Sequence, residues 1–396
     1  MHNNEMPGCR IAARKAGGTR RLRSAVVKSA VLGIPAAALL MSAGAASAAT
    51  TQHAGAAAPH AIKLGARPAS AANVTWHNLN LINGWQTASG SGSPMYAISN
   101  GVVYLTGGLT QPSPGNEEFA VLPKAARPSH AMYRSITGFA GIEVTLFILP
   151  DGVMQVFSSS TSTAQQFSSL TGVSYPVAGT TWHKLSLING WVSANTPSGD
   201  TGNPAYTVKN GIVYLSGSVK QTSGSNSVFA VLPKAARAGV KMYLTDYMFQ
   251  QTPGSLVITK TGAISALSGP QSQAQAFTSL AAISYPAKGI TWHNLTLKNG
   301  WATTSLGTGN PAYAVKNGIV YLSGALHQPS GNFITFARAP AAIRPPTALT
   351  MPIYTKGGTY GYFADGPSSR MDVNSNPSSD AQRFASLAAI SYPVNS

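Results

Sequence analysis

The chain has 396 residues, 44% hydrophobic and 9% charged, with a formal net charge of +17 and a single cysteine. The apolar share excludes a disordered chain, and the lone Cys9 excludes a disulfide framework or a cysteine-based zinc site. Sparse charge alongside abundant small polar residues suits a β-rich extracellular protein.

Residues 1–28 concentrate seven bases (Arg10, Arg14, Lys15, Arg20, Arg21, Arg23, Lys28) against Glu5 alone. An apolar run from Val31 to about Ala45 follows, then Ala46-Ser47-Ala48. Basic start, apolar middle and small-residue end read as a secretory signal peptide over 1–48, Sec-like in character. Thr19-Arg20-Arg21-Leu22 resembles a twin-arginine signal, but Arg23 and Ser24 stand where apolar residues are expected. The run is too short and too alanine-rich for a membrane span. Residues 49–73, rich in Ala, Gly, Pro and His, read as a flexible linker. Without the signal the bases are scattered, with no dense stripe of the kind nucleic acid requires. The localisation expected is secreted and bacterial.

One phrase then occurs three times. Thr75-Trp76-His77-Asn78-Leu79-Asn80-Leu81-Ile82-Asn83-Gly84-Trp85 returns from Thr181 to Trp191 and from Thr291 to Trp301, and these copies hold all six tryptophans. The spacing is that of a small domain, so we place β repeat domains at 74–178, 179–288 and 289–396.

Within each repeat the order of signals is constant. Tyr96 to Gly107 carries Asn100-Gly101 between β-branched and aromatic runs, matched at Tyr206 to Gly217 and Tyr313 to Gly324; this is the strongest short-range hairpin signal. Phe119 to Arg127 recurs from Phe229 to Arg237 and, altered, from Phe336 to Arg344. A strand pair about Pro150-Asp151-Gly152 follows, and Ser169 to Pro176 closes the repeat, as do Ser279 to Pro286 and Ser386 to Pro393. Seven or eight short strands per repeat are expected. The fold class predicted is all-β, three tandem β-sandwich or jelly-roll-like domains. Ala274 to Leu280 is the best helical candidate and is short. Linkers of about four residues keep consecutive repeats in contact, which allows one chain to fold as an intramolecular pseudo-trimer; a homo-oligomer is the other arrangement.

This ordered set resembles the C-terminal head domains of bacteriophage tail-fibre and receptor-binding proteins. The resemblance covers each repeat from about Thr75 onward. It implies small β modules, trimeric association and recognition of host cell-surface saccharide. The chain departs from that pattern in its secretion signal, in lacking a visible shaft segment, and in carrying three copies.

Strand alternation sorts the opening phrase. His77, Leu79 and Leu81 share one face, read as the core, with each histidine half-buried there. Trp76, Asn78 and Asn80 share the other. Trp76, Trp182 and Trp292 therefore lie on a polar face, where they stack on a sugar ring, cover a neighbouring repeat or sit over a loop. Trp85, Trp191 and Trp301 read as core. In the hairpin, Ile98 is expected opposite Val103 and Tyr96 opposite Leu105, which puts Tyr104, Tyr214 and Tyr321 on the other face as further candidate ligand platforms. Arg127, Arg237 and Arg344 read as loop anchors.

Catalysis finds little support. A glycosidase needs two carboxylates, yet Asp151 gives way to Thr261 in the second repeat and is matched by Asp365 only in the third. No nucleophile elbow, His-Glu-x-x-His or phosphate loop is present. We expect no enzyme activity, no cofactor and no metal. The expected function is secreted, non-enzymatic binding of cell-wall or extracellular polysaccharide. The alternatives are an extracellular structural or matrix protein and a polysaccharide-degrading enzyme.

Overall fold

The computed structural model describes residues 74–394 except 114, 160, 196–198 and 389; the segments expected to be a signal peptide (1–48) and a linker (49–73) lie outside the described residues. The protein is mostly β, built as three repeated units of antiparallel sheets, and all three fall within one compact unit.

Each repeat has eleven short strands in three sheets. In the first repeat one sheet runs Trp76–Asn78, Met95–Ser99, Val102–Thr106, Ser174–Pro176. The second sheet holds Ser168–Ser169, Gly108–Thr110 and Gln86–Thr87. The third runs Glu118–Val121, Val153–Phe157, Glu143–Ile148, Met132–Thr137. The same connectivity recurs in the other repeats, even to a register shift between Glu118 and Ala120, Val228 and Ala230, and Thr335 and Ala337. The strand count exceeds the expected seven or eight because several strands have only two or three residues, too short to show a period. A six-residue helix also precedes the last two strands of each repeat, at Thr161–Gln166, Gln271–Ala276 and Ser378–Arg383. The second coincides with the start of the expected helical segment.

The repeated phrases have mechanical roles. Asn100 and Gly101 adopt φ of 51° and 72°, as a type I′ turn requires, and the hairpin pairs Ile98 with Val103 and Tyr96 with Leu105 as expected. Asn83 donates from its side chain to the carbonyl of Glu118, and Trp85 donates from Nε1 to Asn116 at 2.8 Å. Gln111 donates to the carbonyls of Asn83 and Asn116, closing a clamp that recurs at Trp191 with Gln221 and at Trp301 with Gln328. The three second tryptophans are buried, as expected. The closing tyrosines Tyr175, Tyr285 and Tyr392 donate to Ala126, Ala236 and Ile343, tying the last strand to the Pro-rich turn. Arg127 and Arg237 anchor that turn through Leu122 and Leu232, each at 3.0 Å.

Each repeat has its own core, and a fourth apolar cluster lies between repeats. The repeats contact one another in cyclic order. Ser279 of the second repeat donates to Tyr133 of the first, Ser386 of the third to Tyr243 of the second, and Ser169 of the first to Thr350 of the third, each at 2.7 Å. The last of these three closes the ring. Strands Met132–Thr137, Met242–Tyr247 and Leu349–Tyr354 contact each other pairwise.

Three expectations are corrected here. Tyr104, Tyr214 and Tyr321 are no ligand platform: they are buried together with Val102, Ile212 and Ile319, with their hydroxyls within electrostatic reach of one another. Strand Val102–Thr106 is buried along its whole length, because one face meets its own repeat's core and the other meets the neighbouring repeats. His77, His183 and His293 are exposed rather than half-buried; each lies on a short edge strand and stacks on Tyr96, Tyr206 or Tyr313 at about the same separation of 5.2 or 5.3 Å. Asp365 is not the counterpart of Asp151: strand register places it with Ile148 and Ile258 at a strand end, opposite Leu349.

Candidate ligand site

The first tryptophans are accounted for by packing. Trp76, Trp182 and Trp292 are half-buried against the inter-repeat tyrosine cluster. The space beside Trp182, between Pro128, Tyr175 and Leu215, is about 20 Å³, room for a water and not for a sugar. The structure thus brings all six candidate site residues together, but as one inter-repeat core. The polar-face placement of the tryptophans was legible in the sequence; the neighbour that covers them was not.

The acids are also engaged. Asp151 accepts from the amide of Val153 in its turn, and Asp365 accepts from Gly366 and from the Tyr392 hydroxyl. Burial pushes the Asp365 carboxyl up to about 7. Asp246 and Glu143 belong to a buried cluster with Arg134 where the three repeats meet. Among the described residues no group of three or more His, Cys, Asp or Glu is placed to hold a metal ion.

A different place has the geometry of a binding site. Between the second and third repeats lies an open cleft of about 380 Å³. Its aromatic wall comes from both sides. Tyr243, on strand Met242–Tyr247, and Tyr354, on strand Leu349–Tyr354, stack at 5.2 Å and 23°. Phe384, at the end of helix Ser378–Arg383, is buried and meets both rings edge-on at 5.1 and 5.8 Å. These edge-to-face contacts fix the pair while leaving both tyrosines half-exposed. Lys241 holds its ammonium 4.8 Å from the Tyr243 ring, a cation–π contact.

The polar side of the cleft comes from the third repeat. Lys356 follows the strand of Tyr354, Arg383 ends the short helix and both are exposed, while His327 is half-buried with Nδ1 enclosed and unpartnered in the protein. Thr304 and Ser305 add hydroxyls. Stacked aromatic faces beside convergent donors are what a sugar ring or another amphipathic, hydroxyl-rich ligand requires.

Sequence reasoning passed over this site because its residues come from distant segments outside the repeated phrases. One signal was available. Tyr133 and Tyr243 occupy the same strand position in the first two repeats, as do Tyr247 and Tyr354 in the last two, where an aromatic on a neighbour-facing strand marks a junction. The junction of the first and second repeats has the corresponding pair, Tyr133 and Tyr247, at 5.1 Å, with Phe147 stacked on Tyr133. Comparison with family models, curated proteins and solved structures finds no match for this chain.

Proposed function

We propose that the protein is a secreted, non-enzymatic binder of cell-surface or extracellular polysaccharide, and that the cleft between the second and third repeats is where it binds. The observation that carries this reading is the half-exposed Tyr243–Tyr354 pair beside a row of donors. The resemblance of the repeated phrases to tail-fibre head domains supports the same ligand class. In that light the ring of repeats is an intrachain counterpart of a trimeric head, three modules on one chain standing where three chains stand. A single chain mass in solution is the corresponding expectation; a stable trimer would overturn the intrachain reading.

The alternative is a structural or matrix protein. It is favoured by one observation: the repeated aromatics Trp76, Trp182 and Trp292 are spent on packing between repeats. The two readings separate on a glycan array probed with the full chain and with Tyr243→Ala/Tyr354→Ala. Binding that the double substitution abolishes supports the saccharide reading. An array with no ligand for the unaltered chain overturns it.

A further inference from the structure

The three junctions of the ring are built from equivalent positions, and they are chemically unequal. Where the third repeat has Lys356, the other two have Phe249 and Phe139 at the start of the same short 3-10 turn. Where it has Arg383, they have Ala276 and Gln166 at the end of the same helix. Position 243 is Tyr, Tyr133 or Thr350 by register, and position 354 is Tyr, Tyr247 or Thr137. The second-to-third junction alone combines an aromatic pair with two exposed cations. None of the residues lining the cleft is acidic; Asp380, three residues before Arg383 on the same helix, accepts from the Thr359 hydroxyl at 2.7 Å.

We propose that this cleft selects sugar units bearing an anionic group, a carboxylate or a sulfate. The inference rests on the saccharide reading above and narrows it. A guanidinium presents a planar fork that matches two oxygens of either group, while an ammonium reads the charge from any direction. Lys356 and Arg383 flank the aromatic wall, so a ring stacked there brings its anionic substituent to them. The half-buried His327 imidazole lines the same cleft. Because the cations are exposed, the selectivity weakens as salt is raised.

The test uses the full chain and three soluble polymers: polygalacturonate, dextran sulfate and uncharged dextran. Binding of polygalacturonate, dextran sulfate or both in preference to dextran is expected, and which polyanion binds identifies the group as carboxylate or sulfate. Lys356→Gln/Arg383→Gln should weaken that binding roughly tenfold or more, since each lost contact counts for about a kilocalorie-scale factor. These surface substitutions leave the fold intact. Lys124→Gln/Lys184→Gln, which removes two exposed charges outside the lining of the cleft, should leave binding unchanged. Equal loss in both double variants would mean diffuse attraction to a basic surface and would overturn the proposal. Neutral glycans bound on an array while both polyanions fail would overturn the anionic selection and spare the saccharide reading. No ligand of any kind would overturn both.

Discussion

Arg134 of the first repeat donates from Nη1 to the carbonyl of Thr245 in the second, at 3.0 Å, from a buried position. Its neighbour Asp246 is buried with neither carboxylate oxygen hydrogen-bonded to protein. By strand register, the counterparts of Arg134 are Leu244 and Met351, and those of Asp246 are Ile136 and Ile353. Two of the three repeats thus have apolar side chains where the remaining one has a charge, and the two charges belong to different repeats. The two interact across the junction without a direct ion pair. Arg134→Leu should lower the unfolding free energy by about 1–3 kcal/mol, since the Thr245 carbonyl loses its donor and the buried acid loses its cation. Adding Asp246→Ile should recover most of that loss, because both positions then have the apolar residue type of the other repeats. Urea unfolding of the two single variants and the double variant decides it; simple additivity of two losses would refute the pairing.

The same cluster makes stability depend on pH. Burial pushes the Glu143 carboxyl up to about 8, against the lowering effects of the Ser135 hydroxyl that donates to it and of Arg134. Burial likewise raises Asp246, with Arg134 opposing and Glu143 adding to the rise. Tyr360, from the third repeat, faces the same group, its own hydroxyl donating to Ile136. An acid raised in the folded state keeps its proton there while the unfolded chain ionises near 4.5. Its stabilising contribution is therefore complete below that value and is lost as pH rises to about 8. Tm should fall between pH 4.5 and 8, and Glu143→Gln should flatten the fall. A profile unchanged by the substitution would show that Glu143 does not titrate in this window.

The tyrosine cluster separates a hydroxyl effect from a packing effect. Tyr214→Phe removes one hydroxyl from the buried inter-repeat group and should cost about 1 kcal/mol. Tyr214→Ala leaves a cavity where three repeats meet and should cost about 3–5 kcal/mol. Equal losses, measured by chemical unfolding, would contradict its placement in a packed core. Trp182→Ala should likewise destabilise the fold while leaving saccharide binding at the cleft in place.

Gly107 is held at φ 90°, and a Cβ there would lie 2.1 Å from the carbonyl oxygen of Ser93. Gly217 and Gly324 repeat the arrangement against Asn203 and Asn310. Gly107→Ala should destabilise by several kcal/mol, since backbone atoms rather than a movable side chain stand in the way. A thermal scan that shows no loss would mean the turn relaxes.

Much of the local structure was legible residue by residue. The Asn-Gly turns, the register of Ile98 with Val103, and the burial of Trp85 followed from positive-φ tolerance and strand alternation, which are properties of short segments. The run Val102-Val103-Tyr104-Leu105 also had a signal for burial on both faces, an unbroken apolar stretch where a half-exposed strand would alternate. Taken as half of an amphipathic hairpin, it put Tyr104 on the wrong side of the question.

By itself the sequence determined three copies of one β module, their turns and much of the core of each, because those depend on period and turn chemistry within about a hundred residues. Only the tertiary structure decided what the modules do to each other. The closing contact from Ser169 to Thr350, the burial of the three tyrosines and the cleft between Tyr243 and Tyr354 join residues far apart along the chain. Alternation assigns a side chain to a face; it does not identify what packs against that face. The near-identity of the repeats hid the rest, since the cations that distinguish one junction lie outside the phrases that make the repeats visible.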